Sequence, residues 1–235
     1  MSPRRLSLPP TARRPEGAAF TRTDLLVALA VVAVLAVAVA APLRVNRDKA
    51  ALARCTANLK SVGQAVIAFA GDHADAFPGA VEGQKGDSWF FYKEQVKGYA
   101  GLKGPSSAAD TLFACPNDRG YSDPKPFHQT ARFDFNSYVF NGVLLPGVPS
   151  LAGSKLAAVR DPKRSLLVME WTAHAPLSWH RSRTGPRNAP FYCDAQSVVT
   201  FVDGHVRLIP IYFDGYSPAY TQDPIPGYDY KYSAD

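Results

Sequence analysis

Leu25 to Leu43 is a run of nineteen residues without a charge, and it limits what this chain can become. At about 1.5 Å of rise per helical residue it spans roughly 28 Å, close to the thickness of a bilayer's hydrocarbon core. It consists of Ala, Val and Leu, with no glycine, and its single helix breaker, Pro42, sits at the far end. A core helix of a globular protein carries a polar face; this run has none. It therefore needs a membrane or other apolar helices around it.

Helical spacing persists past the run. Beyond Pro42 the chain becomes charged (Arg44, Arg47, Asp48, Lys49), yet Leu52, Cys55, Leu59, Val62, Val66 and Phe69 recur at steps of three and four. That spacing predicts one apolar stripe on a helix continuing to Ala70. Arg54, Asn58, Lys60, Ser61 and Gln64 are expected on the opposite, polar face. A membrane-length helix thus leads into an amphipathic one that needs an apolar surface to lie on.

The chain of 235 residues suits one folded domain plus an anchor. Its formal charge is +6, of which +3 falls within residues 1–19 (Arg4, Arg5, Arg13 and Arg14 against Glu16). The remaining +3 is small and scattered, and no basic stripe interleaved with aromatics occurs, which argues against nucleic-acid binding. Most of the 20 prolines and 17 glycines follow residue 70, so that part should be loop-rich with short strands. Three cysteines, Cys55, Cys115 and Cys193, allow at most one internal pair, and none has zinc-ligand spacing.

Residues 1–19 combine four arginines and four prolines without periodicity and read as a cytoplasmic leader. The apolar run begins too far from Arg4-Arg5 or Arg13-Arg14 for a twin-arginine signal. Basic residues flank the run on both sides, so the positive-inside rule does not fix orientation. The N-terminus is placed inside because everything resembling a folded domain follows the run. A secretory signal cut after Ala38-Val39-Ala40 is the rival. Against it stand the length of the run, Pro42 beside the cut, and acidic Asp24 at the edge where a basic residue is preferred. A carboxylate there is costly unless paired or wet. A cut before Phe20 would create an amine four residues from Asp24, and in a filament the carboxylate of one subunit could neutralise the amine of its neighbour. The plainer alternative is an interfacial Asp in water.

Ala19-Phe20-Thr21-Arg22-Thr23-Asp24-Leu25-Leu26-Val27 resembles the cleavage and N-methylation signature of type IV prepilins, Gly-Phe-Thr-Leu-Ile-Glu-Leu-Leu-Val, shared with the pseudopilins of type II secretion. Ala19 stands in place of the glycine, Asp24 of the glutamate and Arg22 of an apolar residue. Later blocks are similar to a pseudopilin-like subfamily: Arg54-Cys55-Thr56-Ala57-Asn58-Leu59-Lys60, Phe113-Ala114-Cys115-Pro116, Asn136-Ser137-Tyr138-Val139-Phe140-Asn141, and Asp203-Gly204-His205-Val206. Cys193 occupies the position where members often carry a histidine ten residues before that Asp. The resemblance implies a leader at 1–19, a membrane and filament-core helix at 20–43, its amphipathic continuation at 44–70, and a periplasmic domain at 71–210. It implies processing between Ala19 and Phe20 by a prepilin peptidase, and assembly through Phe20 and Asp24 with copies of itself or related pseudopilins. The location implied is the inner membrane, crossed once, with the N-terminus cytoplasmic. The role is structural, without catalysis.

The later chain reads coherently on its own residues. Gly71, Pro78, Gly79, Gly83 and Gly86 make 72–86 a connection. Residues 87–99, with Trp89, Phe90, Phe91 and Tyr92, predict a short helix packing on the first. Phe133 to Leu145 alternates around Asn141-Gly142, which predicts a hairpin turn. Residues 165–170 and 197–202 are apolar runs of strand length, and Asp203-Gly204 before His205–Pro210 predicts a tight hairpin. The expected fold class is α+β: the long helix packed on a C-terminal antiparallel sheet. Residues 211–235, rich in tyrosine, are either a tail lying on the domain or a surface toward a neighbour.

Little points to chemistry. His73, His128, His174, His180 and His205 lack metal-ligand spacing and read as surface or turn residues. Cys193 beside Asp194 is the one candidate nucleophile, and a membrane-tethered enzyme or a secreted binding protein are the alternative readings. Cys115 and Cys193 both fall in the extracytoplasmic part, where disulfides persist, and are expected to pair, leaving Cys55 buried in the stripe. Asp203, Asp214, Asp223 and Asp229 are hard oxygen donors suited to calcium, without a recognisable loop spacing. No other cofactor is expected.

Overall fold

The computed structural model describes residues 21–80, 88–120, 125–173, 178–180, 195–212, 221 and 223–235. Internal contacts divide the chain into two units, Met1–Asn46 and Arg47–Asp235. Helix α1, Arg22–Asp72, is 51 residues long and passes from the first into the second.

In the first unit α1 begins at a capping box. The Thr21 backbone N–H donates to Asp24 Oδ2 (2.9 Å) and the Asp24 N–H donates to Thr21 Oγ1 (3.2 Å), so two of the orphan donors at the helix start are satisfied. The helix continues through Pro42, which has no N–H to donate to the ladder. Every large apolar side chain described from Leu25 to Val45 is exposed; Leu26, Val34 and Val37 stand at 67%, 68% and 71%.

The second unit opens with the other half of α1, and here the stripe is buried. Cys55, Leu59, Val62 and Val66 are fully buried, Phe69 nearly so, and Leu52 packs at the edge. Each such side chain contributes roughly 1.5–3 kcal/mol on leaving water. Asn58 departs from the polar-face expectation. Its amide donates to the carbonyls of Thr111 (3.0 Å) and Ala114 (2.9 Å), tying α1 to a loop far along the chain. Gly63 lets the helix backbone close on the sheet: a Cβ there would lie 2.5 Å from Thr200 Cγ2. Thr200 is held in place, its hydroxyl donating to the Leu59 carbonyl at 3.0 Å.

The sheet is a four-stranded antiparallel meander in the order β1 (Tyr138–Phe140), β2 (Leu166–Glu170), β3 (Gln196–Phe201), β4 (Val206–Pro210). Both faces are covered. Tyr138, Phe140, Leu167, Val168, Val198 and Val202 join the core of the α1 stripe. Val139, Leu166, Met169, Val199, Phe201 and Ile209 form a second core on the other face. Two covered faces explain why β2 and β3 read as continuous apolar runs and not as alternating ones. In β2 the register shifts between Leu166 and Val168, which puts Leu167 and Val168 on the same side.

The second core is closed by the C-terminal residues. Ile225, Tyr230 and Tyr232 are buried in it, Leu166 N–H donates to the Lys231 carbonyl (2.9 Å), and Ser165 Oγ to the Ser233 carbonyl (2.9 Å). Of the two roles left open for the tail, residues 223–235 take the first and lie on the domain.

Helix α2, Ser88–Val96, runs into a 3₁₀ turn at Lys97–Ala100. Tyr92 and Val96 enter the α1 core, and Tyr99 meets Phe69 edge-on at 5.9 Å. The hairpin at Asp203-Gly204 is present, with Gly204 at φ +85°. The hairpin expected at Asn141-Gly142 is not. Asn141 is buried at the end of β1, and its amide donates to the carbonyls of Leu166 (2.8 Å) and Tyr232 (2.7 Å). It thereby links β2 to the C-terminal segment, a use of Asn that mimics a turn signal in sequence.

Candidate functional site

Two places in the described residues combine chemistry with unusual exposure or burial. One is the beginning of α1. Asp24 Oδ2 accepts from both the N–H and the hydroxyl of Thr21, the latter at 2.7 Å, so the carboxylate is already engaged within its own helix. That geometry gives Asp24 a local reason to exist beside the apolar run. Helix α1 is long and apolar enough to cross a membrane, by length and composition. Ala19 and Phe20 lie outside the described residues.

The second place is a buried cluster where four separate segments meet. Cys55 comes from α1, Cys115 from the loop after the 3₁₀ turn Thr111–Phe113, Glu170 from the end of β2, and His180 from the segment 178–180. Cys55 and Cys115 form a disulfide with Cα atoms 5.1 Å apart, closing a sequence separation of 60. This corrects the expected Cys115–Cys193 pair. Cys55 sits on the buried stripe, and Asn58, one turn on, ties the 111–114 loop to the same stretch of helix, which brings Cys115 against Cys55. Cys193 and Asp194 lie outside the described residues.

Glu170 is fully buried. Its Oε1 receives His180 Nε2 at 2.6 Å and stands 3.3 Å from Cys115 Sγ; its Oε2 accepts the Val198 N–H at 2.8 Å. The His180 side chain is 2% exposed, so it sits in a bend but is not the surface residue that reading allowed. Its Nδ1 lies 3.2 Å from the Asn117 amide nitrogen. Tyr138 is the cross-strand partner of Glu170. Burial, and then the Glu170 charge, push the Tyr138 phenol well above its ordinary value.

A polar frame positions these groups. Ser137 Oγ accepts the Cys115 N–H (3.0 Å) and donates to Asp118 Oδ2 (2.7 Å). Asp118 also accepts from Gly120 N–H and from the backbone and Nδ1 of His128. Burial works to raise the Asp118 carboxyl, but these four hydrogen bonds outweigh it and hold the group below 3.8. Arg119 Nη2 donates to the Ser178 carbonyl (2.7 Å), Trp179 Nε1 to the Gly120 carbonyl (3.2 Å), and the His180 N–H to Ser178 Oγ (3.0 Å), fixing His180 over Glu170.

The other acidic residues do not gather. Asp203 Oδ1 is taken by the N–H and Nδ1 of His205, Asp223 by the N–H groups of Tyr232 and Ser233, and Asp229 by Arg164 and Arg207. Among the described residues, the Cys55–Cys115–Glu170–His180 group is where His, Cys, Asp or Glu donors converge in metal-holding number, and no aspartate belongs to it. Asp214 lies outside the described residues. Sequence reasoning passes over Glu170. Its one signal is a carboxylate closing a strand whose other four residues are apolar. No protein-family model, curated protein or solved structure matches the chain.

Proposed function

We propose that this chain is a pilin-like structural subunit, a pseudopilin of a type II secretion or type IV pilus-like assembly. A prepilin peptidase removes residues 1–19, and the apolar half of α1 holds the subunit in the inner membrane until it bundles with copies of itself or related subunits. The reading rests first on one observation: the large apolar side chains described from Leu25 to Val45 are exposed, while the apolar stripe of the same helix from Cys55 onward is buried against a sheet. A helix with those two halves has one surface for its own domain and another for lipid or like helices. The α+β arrangement and the acid in the first turn fit the same scheme. A signal-peptide cut after Ala40 would fall inside α1.

Asp24 has two separable duties in this reading, capping its own helix and neutralising a neighbour's amine. Asp24→Asn keeps an oxygen that can accept the Thr21 N–H but removes the charge; Thr21→Ala removes the hydroxyl but keeps the charge. Sedimentation of cross-linked assemblies from cells is expected to lose Asp24→Asn and retain Thr21→Ala. Assembly of both variants at the level of the unaltered chain contradicts the proposal.

A further inference from the structure

We propose that Cys55, Cys115, Glu170 and His180 form a closed, four-ligand site for a zinc-class divalent cation when the Cys55–Cys115 disulfide is reduced. Their four ligand atoms lie within 4.8 Å of one another. Tetrahedral zinc, with bonds of roughly 2.0–2.3 Å, spaces its ligands by distances of this size once the two sulfurs part by side-chain rotation. Two thiolates, an imidazole and one carboxylate select zinc over calcium or magnesium.

A disulfide alone does not account for its surroundings. Glu170 Oε1 faces Cys115 Sγ at 3.3 Å, and a disulfide sulfur has no proton to share with it. Sulfur, carboxylate oxygen and imidazole nitrogen are thus three lone-pair atoms brought together in the interior, with only the His180 Nε2 proton among them. Burying such groups is costly unless a cation or further protons sit between them. Asn117 supplies the outer contact that a metal-bound histidine requires. With its amide turned over, Oδ1 accepts a proton on His180 Nδ1, which frees Nε2 for the ion.

The conversion balances. A phosphine reductant takes the oxygen of one water and becomes the phosphine oxide; the S–S bond breaks, and the sulfurs gain two electrons and two protons. The cation then displaces both thiol protons to solvent, while the His180 proton moves from Nε2 to Nδ1. The link between α1 and the 111–118 loop is kept, now running through the ion.

The test uses the full chain made in a reducing cytosol, kept in phosphine and detergent, and titrated with cobalt(II). One equivalent is expected to give thiolate-to-cobalt charge-transfer bands and tetrahedral d–d bands, both displaced by zinc, with none in the air-oxidised chain. His180→Ala and Glu170→Gln, each checked for folding by circular dichroism, are expected to weaken binding by at least about 10-fold and to alter the d–d bands. Cys193→Ser is expected to change nothing. A reduced, folded chain without cobalt–thiolate bands overturns the proposal. So do bands unaltered in both His180→Ala and Glu170→Gln, or bands lost in Cys193→Ser.

Discussion

Glu170, Asp118 and Asn141 show how much of this domain depends on single polar groups placed among apolar ones. Asp118 sets a pH dependence. Its carboxyl is held below the unfolded value of 3.8, so the stability it contributes is complete above that value and is lost as pH falls through the lower folded one. Denaturant midpoints are expected to drop as pH falls below 3.8, and less so in Asp118→Asn, which starts from a lower midpoint. Asn141→Ala leaves the Leu166 and Tyr232 carbonyls without their donor. It is expected to cost about 1–3 kcal/mol in urea denaturation; a loss below half of that would mean the amide is dispensable. None of these roles is legible in the sequence. Asn141-Gly142 has the composition of a turn, but the carbonyls that hold its amide inward belong to Leu166 and to Tyr232, far along the chain. His180 has no ligand spacing in sequence because its partners come from three other segments. The stripe marks Cys55 as buried, but a stripe position does not say which loop will meet it.

At the scale of elements, local pattern carries further. The three-and-four spacing from Leu52 to Phe69 places the buried face of α1, and the strand-length runs near 165–170 and 197–202 match β2 and β3 within a residue at each end. Spacing reports which side of an element is apolar, and burial follows from that side. It does not report how closely two elements approach. Gly63 carries no signal in the middle of the helix, yet there α1 comes close against β3. Gly63→Ala gains helix propensity but forces a methyl into Thr200, whose hydroxyl is bound to the Leu59 carbonyl. The clash is expected to win, for a net loss of about 1–3 kcal/mol; a stabilised variant would show that helix and sheet can part cheaply. Removing the disulfide with Cys55→Ser is expected to cost about 2–4 kcal/mol relative to the oxidised chain, read from denaturant unfolding.

For the molecule as a whole, one helix has two unlike halves. Its C-terminal half is fastened to a domain by apolar packing, by Asn58 and by the disulfide. Its N-terminal half offers Ala, Val and Leu outward along the length of a bilayer. The domain's sheet is covered on both faces, so among the described residues the long apolar surface left for partners is the exposed half of α1. The measurement that tests the account most directly is the mass of the N-terminal peptide of a C-terminally tagged chain recovered from membranes. The account predicts a peptide beginning at Phe20 and carrying an N-methyl group. A mature chain beginning at Met1 or at Ala41 would contradict it.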